Sequence, residues 1–127
     1  MENDPVNHPA HYTQYKREVI DLTERLSFCV GNAVKYILRA PYKGKEAEDL
    51  QKALWYVERS LRHQERVPKR AKELAKEYGN ELVVMLLESY SSLSYGRVYA
   101  HGMEKAKEAL KAAITDARYR EAEQRGH

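Results

Sequence analysis

Cationic and polar side chains recur along one side of two neighbouring predicted helices between residues 31 and 59. In the first helix, spacing by three and four residues brings Asn32, Lys35 and Arg39 together, away from an apolar stripe. In the second helix the corresponding side carries Asp49, Lys52, Tyr56 and Arg59. Lysine and arginine bind phosphate oxygens through charge-assisted hydrogen bonds. The pattern therefore predicts a site for an anionic, phosphate-bearing ligand.

A short basic turn joins the two helices and extends the same positive region. Pro41 cannot continue the first helix, Gly44 relaxes the turn, and Lys43 and Lys45 add charge at its tip. If the helices pack as an antiparallel hairpin, both polar sides border one cleft. The charge of a nucleoside triphosphate would then be neutralised by Lys35, Arg39, Lys43 and Lys52.

Carboxylates flank this region and suit magnesium, which prefers hard oxygen ligands. They are Glu18, Asp21, Glu24, Glu46, Glu48 and Asp49. The arrangement partly resembles that of all-helical nucleoside triphosphate pyrophosphohydrolases, although the paired ExxE and ExxD spacing is missing. The last three acids are equally expected as first-turn residues of a helix that begins near residue 45. Asp49 is the best candidate for a Mg²⁺ ligand.

Aromatic side chains near the middle of the second helix offer flat faces for a base. Tyr56 lies on the polar side and is the better candidate. Trp55 also belongs to the candidate set, but a single tryptophan at helical spacing is more typical of a core. Residues 1–17 contain two prolines and are predicted to form an extended arm. This arm either lays His11 and Tyr12 across the site or packs its tyrosines elsewhere on the surface.

The hydrophobic periodicity predicts an all-α fold, a small helical bundle that forms a single domain of 127 residues. We divide it into the arm at 1–17, a helical core at 18–65 and additional helices at 66–127. The first helix is expected at 18–27. A second helix follows a break at Gly31 and Asn32 and ends before Pro41. Further helices are expected at 45–64, 68–78, 81–95 and 103–123. The side chains of Phe28, Cys29 and Val30 are expected to be buried. The apolar helix at 81–95 and the alanine-rich last helix favour oligomerisation through the second half.

Composition narrows the class of protein. The 22 basic and 19 acidic residues give a net charge of +3, well short of a dedicated DNA-binding coat, so nucleic acid is the least expected partner. The single cysteine, Cys29, excludes an intramolecular disulfide or a cysteine-based zinc cluster, and indicates a reducing cytoplasm. No apolar run approaches the ~20 residues of a membrane span, and the first residues lack signal-peptide features.

Several short segments carry a family resemblance. HPAHY at 8–12, EVID at 18–21, GNAVKYILRA at 31–40, the basic turn, and EDLQKALWY at 48–56 occur in an order that resembles a small domain common in phage genomes. That family is of unknown function as a whole, and includes the early nucleotide kinase of T-odd coliphages. The resemblance covers about residues 6–62. Its characteristic positions correspond to His11, Tyr12, Asn32, Lys35, Tyr36, Arg39, Lys43, Asp49, Lys52, Trp55 and Tyr56.

The resemblance implies a nucleotide kinase without a P-loop, since the GxxxxGK[ST] motif is absent from the chain. Such an enzyme would act in the host cytoplasm and transfer phosphate from a nucleoside triphosphate to a deoxynucleoside monophosphate. Lys35, Arg39 and Lys52 would clamp phosphates. Asp49 would orient the acceptor or hold Mg²⁺, and Tyr12 or Tyr56 would stack the base. The alternatives are a non-catalytic protein that sequesters a nucleotide, and an all-α nucleoside triphosphate pyrophosphohydrolase.

Overall fold

A computed structural model of the protein describes residues 15–96 and 102–126. Within these ranges the chain forms six α-helices and no strand, which confirms the predicted all-α bundle. The helices are α1 (Val19–Thr23), α2 (Phe28–Arg39), α3 (Glu46–Arg62), α4 (Lys69–Ala75), α5 (Glu81–Glu88) and α6 (Met103–Arg125), and 3-10 turns follow α2 at Ala40–Tyr42 and α4 at Lys76–Tyr78. Among the helices described, none is both long and apolar enough to span a membrane.

Helices α2 and α3 form an antiparallel pair. Arg39 at the end of α2 lies against Asp49 near the start of α3, whereas Glu65, just beyond α3, bonds to the start of α2. Buried aliphatic side chains line the facing sides of α2 and α3, because apolar positions recur at helical spacing in both helices. These core residues are Ala33, Val34, Ile37, Leu38, Leu50, Ala53 and Val57. Gly44 in the connecting turn has a φ of +79°, a conformation that favours glycine.

Helix α6 packs antiparallel along another side of α3. Its buried stripe consists of Ala106, Leu110, Ile114 and Ala117. Near its C-terminal end, the Arg120 guanidinium pairs with Glu46 at 2.8 Å, and the Glu121 carboxylate accepts a hydrogen bond from the Ala47 amide at 3.0 Å. A side chain of α6 therefore supplies an acceptor for one of the unpaired amides in the first turn of α3. One core thus contains residues from both halves of the chain.

The predicted break at Gly31 and Asn32 is wrong, because both residues lie inside α2, which begins at Phe28. A Cβ atom at Gly31 would lie 3.3 Å from the Thr23 carbonyl oxygen, so glycine here permits close packing of α1 on α2. The predicted burial of Phe28 is also wrong. Its side chain is 72% exposed, while Cys29 and Val30 are buried as expected.

The helix predicted over 81–95 ends at Glu88. Serine side chains bond to the backbone beyond this point: Ser89 donates to the Leu86 carbonyl, and Ser91 accepts from the Leu93 amide. Such bonds compete with helical ones. The Arg66 guanidinium also donates to the carbonyls of residues 93, 95 and 96, which holds this segment in a non-helical path.

The first described residues cross the end of α2. The Tyr15 hydroxyl donates to the Leu38 carbonyl at 2.5 Å, and its ring contacts the rings of Tyr42 and Tyr78, each at 5.9 Å between centroids. Arg17 pairs with Glu77 at 3.0 Å. These contacts tie the start of the described chain to α2 and to the turn after α4. The rest of the predicted arm lies outside the described residues.

Candidate functional site

The polar sides of α2 and α3 meet around one tyrosine ring. The Lys35 Nζ atom lies 4.7 Å from the centroid of the Tyr36 ring, the Arg39 guanidinium carbon 4.8 Å, and the Lys52 Nζ atom 5.5 Å. Two cations come from α2 and one from α3, so the helix pairing assembles the group. All three distances fall within the range of cation–π attraction. We call Lys35, Tyr36, Arg39, Lys52 and Tyr56 the tyrosine–cation surface.

Aromatic rings continue this surface along α3. The Tyr56 ring stacks on Tyr36 with an interplanar angle of 17° and a centroid distance of 6.0 Å. Phe28 and Trp55 each present an edge-to-face contact to Tyr56, at 6.2 and 5.1 Å. Trp55 is 57% exposed, which corrects the expectation that it belongs to the core. Tyr56, which the sequence placed on the polar side of α3, stacks on the ring that Lys35, Arg39 and Lys52 surround.

Asp49 lies beneath the tyrosine–cation surface. It is only 1% exposed, and its two carboxylate oxygens each lie 3.4 Å from a nitrogen of the Arg39 guanidinium. A buried carboxylate requires a cationic partner because isolated charge is costly to desolvate. Asp49 therefore holds the guanidinium of Arg39 in place, and its own oxygens face that cation.

The electrostatics of the surface favour an anion. Three cations, Lys35, Arg39 and Lys52, converge on the Tyr36 ring, and Asp49 is the carboxylate paired within the group. Three cations and one paired carboxylate leave a net positive charge on this surface, which attracts negatively charged ligands. Lys52 is exposed and Lys35 is half-buried, so an incoming ligand can reach both.

The remaining predicted site residues occupy different positions. Asn32 lies four residues before Tyr36 on α2, and its side-chain amide donates to the Phe28 carbonyl at 2.8 Å. Lys43 is exposed in the turn between α2 and α3. His11 and Tyr12 lie outside the described residues.

The candidate magnesium-binding carboxylates are dispersed among separate cationic partners. Asp21 pairs with Arg17 at 3.7 Å, and Glu46 pairs with Arg120 at 2.8 Å. Across residues 15–96 and 102–126, no three or more histidine, cysteine, aspartate or glutamate side chains form a group suited to a metal ion. Among the described residues, Asp49 therefore has no neighbouring cluster of such side chains with which to share a metal ion.

Sequence reasoning missed Glu65, whose carboxylate anchors the start of α2. It accepts hydrogen bonds from the Ser27 hydroxyl at 2.6 Å, the Val30 amide at 2.9 Å and the Cys29 amide at 3.1 Å. Burial opposes the charge on this carboxylate, but the three hydrogen bonds outweigh burial and lower the pKa of Glu65. No local pattern signals this contact, because donor and acceptor are more than thirty residues apart.

Sequence reasoning also missed Phe28, for which a signal existed. Phe28 precedes Asn32 by four residues and Tyr36 by eight, so it lies on the same helical stripe as the predicted site. Its exposed ring extends the row formed by Tyr56 and Tyr36.

Residues 6–58 match the family described as a protein of unknown function, DUF3310, so a DUF3310 domain is found over this part of the chain. The match includes all five residues of the tyrosine–cation surface, while Glu65 and α6 lie beyond it. Neither a curated protein nor a solved structure matches the chain. The family description assigns no activity.

Proposed function

We propose that the tyrosine–cation surface binds nucleoside phosphates and transfers a phosphoryl group from a nucleoside triphosphate to a deoxynucleoside monophosphate. The observation that carries the proposal is the convergence of Lys35, Arg39 and Lys52 on the Tyr36 ring. Phosphoryl transfer depends mainly on positioning and charge stabilisation, so a cationic clamp can supply much of its chemistry.

Each residue has a distinct task in this proposal. Lys35 and Lys52 reach solvent and bind phosphate oxygens first, whereas Arg39 is held in a fixed orientation by Asp49. A guanidinium with fixed orientation is suited to two parallel hydrogen bonds to a phosphate. Tyr56 stacks on the Tyr36 ring that the cations surround, and Lys43 extends the positive charge into the turn. Mg²⁺ would arrive with the triphosphate, because Asp49 is occupied by Arg39.

The second candidate is a non-catalytic protein that sequesters a nucleotide. It is favoured by the burial of Asp49, since a carboxylate engaged with Arg39 is poorly suited to accept a proton from the acceptor phosphate. Both candidates use the same surface. They differ in whether the ligand leaves the protein unchanged.

Incubation of purified protein with labelled ATP, Mg²⁺ and each deoxynucleoside monophosphate separates the candidates. The kinase proposal predicts a labelled deoxynucleoside diphosphate that is lost in Lys52→Ala and retained in Lys105→Ala, an exposed lysine on α6. Tight binding of ATP recovered intact selects sequestration. Release of pyrophosphate that stops with EDTA selects pyrophosphohydrolysis. If no nucleotide binds or reacts, the kinase, sequestration and pyrophosphohydrolase hypotheses all fail.

The second half of the chain offers a surface for self-association. Met85 on α5 is exposed, as are Leu93 and Tyr95 in the segment that follows. Covering these apolar side chains in a homo-oligomer would remove them from water. We place the assembled protein in the cytoplasm of a phage-infected host, as the family resemblance implies. Light scattering during size-exclusion chromatography measures the oligomer, and a Met85→Glu substitution should dissociate it.

A further inference from the structure

A cavity of about 250 Å³ lies between the end of α1 and the first turns of α2. Thr23 and Leu26 line one side, and Phe28, Asn32 and Lys35 line the other. The cavity therefore has an aromatic ring, an amide and a cation on its α2 side. None of these groups is required to fill the core, since Phe28 is exposed and the other two are half-buried.

The cavity is continuous with the tyrosine–cation surface. Lys35 lines the cavity and also lies over the Tyr36 ring. Phe28, which forms the cavity's outer wall, touches Tyr56 edge to face. Along α2 the side chains of Phe28, Asn32 and Arg39 follow one face over ~16 Å, at a rise of ~1.5 Å per residue. A ligand lying along this face contacts an aromatic ring at one end and cations at the other.

We infer that this cavity is the nucleobase subsite of the nucleotide-binding surface, with Phe28 stacking on the base and Asn32 contacting its hydrogen-bonding edge. The inference rests on the proposed function, because it needs phosphates on Lys35, Arg39 and Lys52. It differs from the sequence prediction, which assigned base stacking to Tyr12 or Tyr56.

The chemistry of the two named residues fits a base. An exposed phenyl ring stacks on any nucleobase, because each base presents a flat face. The Asn32 amide uses its NH₂ group to bond to the Phe28 carbonyl, and its oxygen remains able to accept a hydrogen bond from a base amino group. Stacking on Phe28 does not distinguish one base from another, so the Asn32 contact would supply the preference among bases.

The walls of the cavity are held by contacts already formed in the protein. Gly31 lines the floor, and a side chain there would press on the Thr23 carbonyl oxygen. Ser27 donates to Glu65, which fixes the start of α2. The subsite is therefore largely formed before a ligand binds, which lowers the entropic cost of binding.

Calorimetric titration with the four deoxynucleoside triphosphates and with inorganic tripolyphosphate tests this inference. Tripolyphosphate carries the same phosphate chain without a nucleoside. Phe28→Ala should weaken binding of the nucleotides by about 5- to 150-fold, the range for losing one base–aromatic stack, and leave tripolyphosphate binding unchanged. Asn32→Leu should reduce the differences among the four nucleotides. Tyr119→Ala is the control, because Tyr119 is 71% exposed on α6 and does not line the cavity.

The outcomes separate the subsite from the proposed function. If wild-type protein binds nucleotides and Phe28→Ala binds them equally well, the subsite is wrong and the cationic clamp stands. If wild-type protein binds tripolyphosphate as tightly as every nucleotide, the base makes no contact and the subsite is again wrong. If it binds neither, the proposed function fails and the subsite falls with it. Equal loss of nucleotide and tripolyphosphate binding in Phe28→Ala would also overturn the subsite.

Discussion

Replacing Glu65 by alanine should destabilise the protein through the start of α2. The substitution removes the acceptor for the Ser27 hydroxyl and for the amides of Cys29 and Val30. Hydrogen bonds to a charged group contribute roughly 1.5–3 kcal/mol each in favourable settings, and loss of a helix cap costs about 0.5–2 kcal/mol. Since water can reach part of the site, we expect a loss of about 2–3 kcal/mol.

Thermal and urea unfolding followed by circular dichroism measure this loss. For a domain of this length, about 3–4 °C of Tm corresponds to each kcal/mol, so Glu65→Ala should melt roughly 6–12 °C below wild type. Glu58→Ala is the matched control, because Glu58 is an exposed residue of α3 and its replacement removes an equal charge. A surface change of this kind is expected to stay within about 0.5 kcal/mol.

The same contact makes a prediction about pH. The pKa of Glu65 is lower in the folded protein than its ordinary value of 4.5, so the unfolded chain binds the proton more readily. The stability that Glu65 contributes is present above pH 4.5 and is lost as the pH falls through the lower folded pKa. The difference between wild type and Glu65→Ala should shrink over that range. An unchanged free energy of unfolding in Glu65→Ala at pH 7, or a difference that stays constant into acid, would refute the reasoning.

Three further outcomes are expected. Desolvation, and next the Glu65 carboxylate, raise the pKa of the Cys29 thiol to about 11, so this single cysteine should resist alkylation at pH 8 until the protein is unfolded; rapid native labelling would contradict its burial. Trp55, the only tryptophan, should be quenched strongly by iodide, since it is 57% exposed with the Arg59 guanidinium 5.5 Å from its ring; a shielded emission would contradict that position. Asp49→Asn should lower the free energy of unfolding by roughly 3 kcal/mol in urea titration, because Arg39 loses its buried partner; wild-type stability would mean the pair contributes little.

Helical periodicity was sufficient to predict the long elements. The apolar repeat of residues 50, 53 and 57 defines the buried side of α3, and the alanine-rich repeat defines α6. The same spacing placed Lys35, Arg39 and Lys52 on one region of the surface. Their convergence on a single ring follows from the antiparallel packing of α2 and α3, which the sequence prediction stated only as a condition.

Other features depend on contacts between distant residues, which local patterns do not encode. Helix α2 begins at Phe28 because Glu65, far along the chain, bonds to the first amides. A local rule instead took Gly31 as a break, although this glycine serves close packing against α1. The end of α5 likewise depends on Arg66, which bonds to the carbonyls of the segment that follows. The exposure of Trp55 could not be read from its residue type.

The role of Asp49 also required the structure. The sequence placed it among polar residues, which favoured a catalytic or metal-binding task. In the folded chain it is buried against Arg39, so its clearest effect is to orient a cation. Residue type and spacing indicated which side chains lie near one another, while burial decided which of them face solvent.

The most direct test of the tyrosine–cation surface is calorimetric titration of ATP into wild type and into the double variant Lys35→Ala/Lys52→Ala. Each charged hydrogen bond to phosphate contributes roughly 1.5–3 kcal/mol, so the double variant should bind ATP at least about tenfold more weakly. The control Lys69→Ala/Lys105→Ala removes the same charge from exposed positions on α4 and α6. Weakened binding in the first pair alone is the predicted result. Equal ATP affinity in wild type and both double variants would contradict the central claim.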